Sequence, residues 1–397
     1  MKILVANLGS TSFKYRLYDL ADPAEPLLAR GAVERIGSNT AGVSIRSPKG
    51  EIELVQPVAD HGVAVQLCLE QLTSPEFGVL PSADEVAAIG FKAVHAKGVS
   101  GVQLVDERVL DAMEQFSAVA PAHNPPYIRV MRMLRARFPK MPLVAAFETG
   151  FHQTISEANR RYAIPDEWRT QFGIERWGFH GASHRYIAGR MAEILGRTDL
   201  KLISCHLGGS SSLCAIKAGR SVKTSMGMSP QSGLPQNNRV GEFDLFALPV
   251  LLQETDLSLV EILDTLANKS GLEGLSGFND TRDIEAAADQ GDSRALMALD
   301  VFVAAIRHDL GADLVELGGA DAIVFTGGIG ENSKRIRASV CQELDWFGVA
   351  LDPEANASAK GECRISARGS RVEIWTVPTN EEIVVARQAR DLLNSTT

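Results

Sequence analysis

Aromatic residues are scarce in this sequence, 6% of 397 positions, and nothing in it reads as a long apolar run. The stretch Ile3 to Ala6 stops at Asn7 and Gly9, too short for a secretory h-region or a membrane span. A cytoplasmic protein with no membrane partner is expected. The five cysteines, Cys68, Cys205, Cys214, Cys341 and Cys363, are odd in number and scattered, with no CxxC or Cys/His spacing. Neither a disulfide framework nor a zinc site follows; reduced thiols do. Positive charge is also in deficit: 40 Lys plus Arg against 49 Asp plus Glu leave a net charge of −9. That disfavours nonspecific attraction to the phosphates of nucleic acid or to an anionic membrane, while leaving room for a local basic site. What is present is ordinary globular material, 45% hydrophobic and 22% charged, enough to fill the cores of two large domains.

Lys2 to Ala6 is apolar and β-prone, the polar turn from Asn7 to Ser12 follows, and Phe13 to Tyr18 alternates apolar with polar. The same layout returns at Lys201 to Cys205, His206 to Ser212, and Leu213 to Ile216. Two such hairpins about 200 residues apart suggest a duplicated domain. Helical periodicity is expected in Pro126 to Phe138, His184 to Leu195, Leu257 to Ala267 and Ser293 to Leu317. Apolar strands are expected at Leu143 to Ala146, Ala322 to Phe325 and Val372 to Val377. Strands alternating with helices read as an α/β protein.

Turns rich in Gly, Ser, Thr and Asn present backbone N–H groups and hydroxyls that suit phosphate oxygens, and Lys14 adds charge beside the first. Taken alone, such a turn is more often a plain hairpin. A third loop, Phe325 to Ser333, follows a buried-looking strand and precedes helix-prone Lys334 to Leu344. Its glycines allow close approach of a ligand, although it is neither a P-loop nor GxGxxG. Ionisable groups also gather among turn signals at Phe91 to His95, Pro121 to Pro126, Phe147 to His152, Gly178 to His184 and Asn237 to Glu242.

Together these segments resemble the acetate kinase family of the acetate and sugar kinase and actin superfamily. The resemblance runs from residue 2 to about residue 390. It rests on Asn7-Leu8-Gly9-Ser10-Thr11-Ser12-Phe13-Lys14, His123-Asn124-Pro125-Pro126, Gly178-Phe179-His180-Gly181-x-Ser183-His184, Thr224-Ser225-Met226-Gly227, Thr326 to Ser333, and Pro378-Thr379-Asn380-Glu381-Glu382. The resemblance implies duplicated actin-like, ribonuclease H-like α/β domains with a nucleotide and substrate cleft between them. Residues 1–150 plus 380–397 would form the N-terminal domain and residues 151–379 the nucleotide-binding one. It implies a homodimer that phosphorylates a short carboxylate to an acyl phosphate with ATP, reversibly, using Mg2+ or Mn2+. By position, Asn7 and Glu381 would serve the metal, and Ser10, Ser12 and Lys14 the phosphates. His206, Gly208, Gly209, Ser210, Asp280, Thr281, Arg282, Gly327, Gly328, Ile329, Gly330, Glu331 and Asn332 would serve the nucleotide. His123, Glu148, His180 and Arg239 would be catalytic, with Lys92, Val94, Ala122, Phe179 and Pro230 at the substrate.

Several positions depart from the family pattern. Lys92 stands where the family holds the substrate carboxylate with Arg, and a lysine cannot form the bidentate fork. Glu148 replaces Asp, so the cation is shortened and the anion lengthened, which reads as one coupled re-spacing. Ala122 replaces a pocket-lining Leu, opening space for an acid of three or four carbons such as propionate, lactate or butyrate, unless a neighbour such as Tyr127 fills it. Gly209 removes an amide beside the phosphates. Two alternatives follow: pyrophosphate as donor, or a catalytically silent nucleotide sensor.

Overall fold

The computed structural model describes residues 1–9, 11–121 and 123–396, and the chain divides into two units, Met1–Gly150 with Asn380–Thr397, and Phe151–Thr379. The expectations at Ser10 and Ala122 lie outside the described residues.

In the first unit, strands β1 (Lys2–Leu8), β2 (Ser12–Asp19), β3 (Leu27–Glu34), β4 (Ala41–Ser47), β5 (Gly50–Gln56), β6 (Val86–Ala93), β7 (Val102–Leu104) and β8 (Leu143–Phe147) form one sheet. Its order is β5-β4-β3-β2-β1-β6-β8-β7. β1 runs parallel to β6, and β6 to β8, whereas β1 through β5 are successively antiparallel. Ile3, Leu4, Val5 and Ala6 are all buried, as a central strand covered on both faces requires. β2 alternates instead: Phe13, Tyr15 and Leu17 enter the core while Lys14 and Arg16 take the other face. The C-terminal helix Glu381–Thr396 packs on β1, β6 and β8.

In the second unit, β9 (Lys201–His206), β10 (Ser212–Lys217), β11 (Arg220–Thr224), β12 (Ala322–Thr326), β13 (Cys363–Arg364) and β14 (Glu373–Thr376) form a sheet ordered β11-β10-β9-β12-β14-β13. Ile203, Cys205, Ile323 and Phe325 face one core, and Leu202, Ala322 and Val324 face the other. Each large apolar side chain so buried contributes about 1.5–3 kcal/mol, which makes the strand ends a rigid platform. Against this sheet lies Ser293–Leu317, capped by Asp292, whose carboxylate accepts from Arg294 and Ala295 N–H, and ended by Gly318 at φ 63°.

The two sheets share a five-strand pattern. β3-β2-β1-β6-β8 and β11-β10-β9-β12-β14 have the same order and the same strand directions. The hairpins that suggested duplication are therefore corresponding parts of two like sheets. Two local expectations differ. The Gly327–Asn332 segment winds into a helical turn rather than an open loop. The helix after it ends at Val340, short of Leu344, where Glu343 takes a left-handed φ of 57°.

Candidate active site

The carboxyl ends of parallel strands flanking a reversal of strand order are where open α/β sheets bind ligands. In the first unit β1, β6 and β8 supply such ends. Asn7 lies at the end of β1, Lys92 at the end of β6, and Glu148 immediately after β8. Lys92 Nζ donates to Glu381 Oε2 at the start of the C-terminal helix. Burial works against the ammonium, yet Glu381 and then Glu148 outweigh it and hold the Lys92 pKa above its usual value. One cation among two carboxylates leaves the cluster net negative.

Tyr127, on the helix Asn124–Arg137, completes the wall. Its hydroxyl accepts from Leu8 N–H at 3.3 Å and donates to Asn7 Oδ1 at 3.4 Å. Asn124 Nδ2 donates to the His95 and Met113 carbonyls at 2.9 and 2.8 Å, which pins the backbone beside His123. The carboxylate of Glu381 and the amide oxygen of Asn7 are hard donors that fit Mg2+, an ion usually held by one or two carboxylates with phosphate oxygens and water. Among the described residues no group of three or more His, Cys, Asp or Glu forms a closed metal cage.

In the second unit, His180 caps the helix Gly181–Leu195 in a left-handed conformation, φ 58° and ψ 29°. Histidine is one of the few side chains enriched there. Its Nδ1 lies 2.8 Å from Ser212 Oγ, which also lies 2.9 Å from His184 Nε2. His184 Nδ1 meets Ser204 Oγ at 2.9 Å, and Ser183 Oγ meets His206 Nδ1 at 2.8 Å. Burial, with His152 and His206 nearby, holds the His184 pKa far below its ordinary value, so this ring is neutral. The rings of His180 and His206 stand 4.4 Å apart. Arg239 donates through Nη1 to Gln236 Oε1 at 3.1 Å and to the Pro230 carbonyl at 3.4 Å, and Ser210 donates to the same Gln236 oxygen at 2.7 Å. Pro230 thus holds Arg239 through its backbone.

A cavity of 580 Å³ in this unit is lined by Gly208, Gly209, Asp280, Thr281, Arg282, Gly328, Ile329 and Asn332, together with Asn237, Glu285 and Ser333. It gathers residues from four separate chain segments. Thr281 Oγ1 and Asn237 Oδ1 are buried there without a partner among the described residues, the condition expected of groups that await a ligand. Gly327, at φ 77°, passes so close to Leu207 that a Cβ would lie 2.7 Å from the Leu207 carbonyl oxygen. Glu331 is occupied within the loop, its Oε1 accepting from Gly327 N–H at 3.1 Å. Buried Arg337 fastens the loop by donating to the Gly330 and Glu331 carbonyls at 2.9 and 2.8 Å. A Cβ at Gly209 would lie 3.5 Å from Asn237 Nδ2, so Asn237 occupies the space beside that position.

The sequence reading omitted Tyr127 as a ligand of Asn7, the His184–Ser212 pair, Asn237 and Arg337. His184 sits inside a recognisable string and Tyr127 directly follows one; Arg337 carries no local signal, because its role depends on a buried turn seven residues earlier. Lys14 is exposed, whereas Phe179 is buried with its carbonyl 2.8 Å from His152 Nε2.

Two like sheets with the same five-strand order and directions define a fold of the actin-like class. The chain belongs to the acetokinase family, whose model matches residues 2–387, and these are kinases that convert a carboxylate to an acyl phosphate. It is 41% identical to an acetate kinase of Carboxydothermus hydrogenoformans over 99% of both chains. The crystal structure of Porphyromonas gingivalis acetate kinase matches with a TM-score of 0.88 at 34% identity, over 99% of both chains. A propionate kinase from Francisella tularensis matches with a TM-score of 0.88 at 31% identity, over 98% of both. No described helix is long and apolar enough to cross a membrane.

Proposed function

We propose that this protein transfers the γ-phosphoryl group of Mg-ATP to a short carboxylic acid, reversibly, with the acid and metal handled by the first unit and the nucleotide by the second. The observation that carries this reading is Lys92 held by Glu381, with the charge of Glu148 also acting on it, at the ends of the parallel strands. A carboxylate with a pKa near 4 is already ionised at neutral pH, so no general base is needed. Its oxygen forms a bond to the γ-phosphorus while the bond to the β,γ-bridging oxygen breaks, and ADP leaves with that electron pair. Repulsion between the acid and the phosphates is the obstacle.

Lys92 attracts and orients the acid's carboxylate, with Val94 beside it at the end of β6. Asn7 and Glu381 would hold the magnesium, Tyr127 orients Asn7, and Lys14, Ser10 and Ser12 would receive phosphate oxygens. Bound magnesium supplies charge neutralisation on the phosphates. His180 and Arg239 donate to the transferring group's oxygens, where preorganised donors act most strongly. His206 and Gly208 to Ser210 line the phosphate end of the nucleotide, and Asp280, Thr281, Arg282 and Gly327 to Asn332 surround its remainder. His123 attends the acid, with Phe179 and Pro230 at the substrate, and the Pro230 carbonyl also holds Arg239. The active form is a homodimer in the cytoplasm.

The acid has three or four carbons: the sequence carries Ala at position 122, where the family often carries Leu, and a propionate kinase is among the structures this chain is similar to. Each methylene buried there adds about 0.8 kcal/mol. Hydroxylamine trapping of acyl phosphate with acetate, propionate, lactate and butyrate tests this. Preference for a larger acid, reduced in Ala122→Leu, supports the reading, and preference for acetate overturns the acid's size alone. Turnover with pyrophosphate but not ATP, or none with either, overturns the donor or the activity.

A further inference from the structure

Strands β2, β3 and β4 set three arginines side by side. Arg16 pairs with Arg30, and Arg30 with Arg46, in the antiparallel register. Directly opposed residues point to one face, and like charges there oppose sheet formation. Carboxylates relieve the two ends of the row: Glu51 on β5 accepts from Arg46 Nε at 2.8 Å, and Glu382 lies 3.2 Å from Arg16. Lys14, one pleat along the same face, reaches Glu34 only at 3.9 Å. Arg30, in the middle, is exposed and has no hydrogen bond or ion pair among the described residues.

These groups line a cavity of 360 Å³ on the first unit's sheet, with one positive charge in excess. The row begins at Val5, covered by the C-terminal helix, and runs out from it as an open shelf. None of its residues lines the nucleotide cavity of the second unit, although Asn7 and Lys14, assigned above to the metal and the phosphates, stand in its wall.

We propose that this arginine row binds a small anion carrying two or more phosphate groups, at a site separate from the nucleotide cavity. Neighbouring strands lie about 4.8 Å apart, so the three guanidinium stems span about 10 Å, wider than one phosphate needs and matched to a short chain of them. Guanidinium forks fit phosphate oxygens bidentately and lose less hydration than ammonium groups do. The volume lies at the lower end of the range for small-molecule sites, about 300–1,000 Å³. The unpaired Arg30 supplies the attraction that its neighbours' carboxylates blunt elsewhere in the row. Because Lys14 belongs to the same wall, an occupant would stand next to the phosphate-binding hairpin.

The test is calorimetric titration of metal-free inorganic tripolyphosphate into the full-length protein saturated with ADP. The expected result is one site per chain, weakened about tenfold or more in Arg30→Gln and lost in Arg30→Glu. Arg30 is exposed and is assigned no step in catalysis, so turnover of Mg-ATP with the acid stays unchanged in both variants. Wild-type affinity in Arg30→Gln, displacement by ADP, or no binding by the wild type overturns the proposal.

Discussion

Ser212 stands between His180 and His184, its hydroxyl oxygen 2.8 Å from Nδ1 of the first ring and 2.9 Å from Nε2 of the second. A serine has one proton to give, so it cannot donate to both rings. If neutral His184 donates from Nε2 to the serine oxygen, the serine proton goes to His180 Nδ1, which places the proton of a neutral His180 on Nε2, where it can be donated to the phosphoryl group. The orientation of the proposed catalytic histidine is thereby set by two residues that need not touch substrate.

Ser212→Ala breaks this arrangement and leaves buried ring nitrogens unpaired, each a penalty of about 1–3 kcal/mol. We expect kcat to fall by about 5- to 150-fold with ADP affinity unchanged, if that penalty appears in the transition state. Steady-state kinetics with ADP titration check it, and an unaltered kcat contradicts the role.

Lys92 and Glu148 share one electrostatic cluster, although the direct hydrogen-bond partner of Lys92 is Glu381. Lys92→Arg and Glu148→Asp should each lower kcat/KM, and the double variant should recover, with a coupling of about 0.5–3 kcal/mol. A double-mutant cycle measures this. Additive losses rule out coupled re-spacing.

Thr281 Oγ1 has no partner to lose among the described residues. Thr281→Val should therefore weaken ADP binding by about 0.5–1.5 kcal/mol while leaving the melting temperature of the unliganded protein unchanged. A lower melting temperature with full ADP affinity would assign the hydroxyl to the fold instead.

Burial lowers the His152 pKa to about 4, Arg185 adding to the effect and the Phe179 carbonyl opposing it. The folded state thus binds this proton more weakly than the unfolded chain does. Its contribution is complete above pH 6.5 and is lost as pH falls toward 4, about 3 kcal/mol in all. His184 acts in the same direction. Asp313, raised by burial to about 7 despite Lys223, acts oppositely: its contribution is present below the usual carboxyl range and lost as pH rises to about 7. Denaturant unfolding from pH 8 to 5 should show a smaller acid loss in His152→Asn than in the wild type. Equal slopes contradict the buried neutral ring.

The duplication was legible because central strands such as Lys2–Leu8 and Lys201–His206 are apolar runs bounded by polar turns. The helix Ser293–Leu317 was read to its ends because Asp292 and Gly318 mark them. β3, β4 and β5 escaped notice, since their half-exposed antiparallel faces mix Arg, Glu and Ser with Val and Ile. Lys92 and Glu381 lie 289 residues apart, and only the packing of the C-terminal helix on β6 joins them. The arginine row was likewise invisible, because register across three strands is a tertiary fact.

The most direct test of carboxylate phosphorylation is ³¹P NMR of the purified protein with Mg-ATP and propionate. The account predicts that the ATP resonances give way to those of ADP and an acyl phosphate, with none without the acid. AMP with pyrophosphate, free phosphate formed without the acid, or unchanged ATP would contradict it.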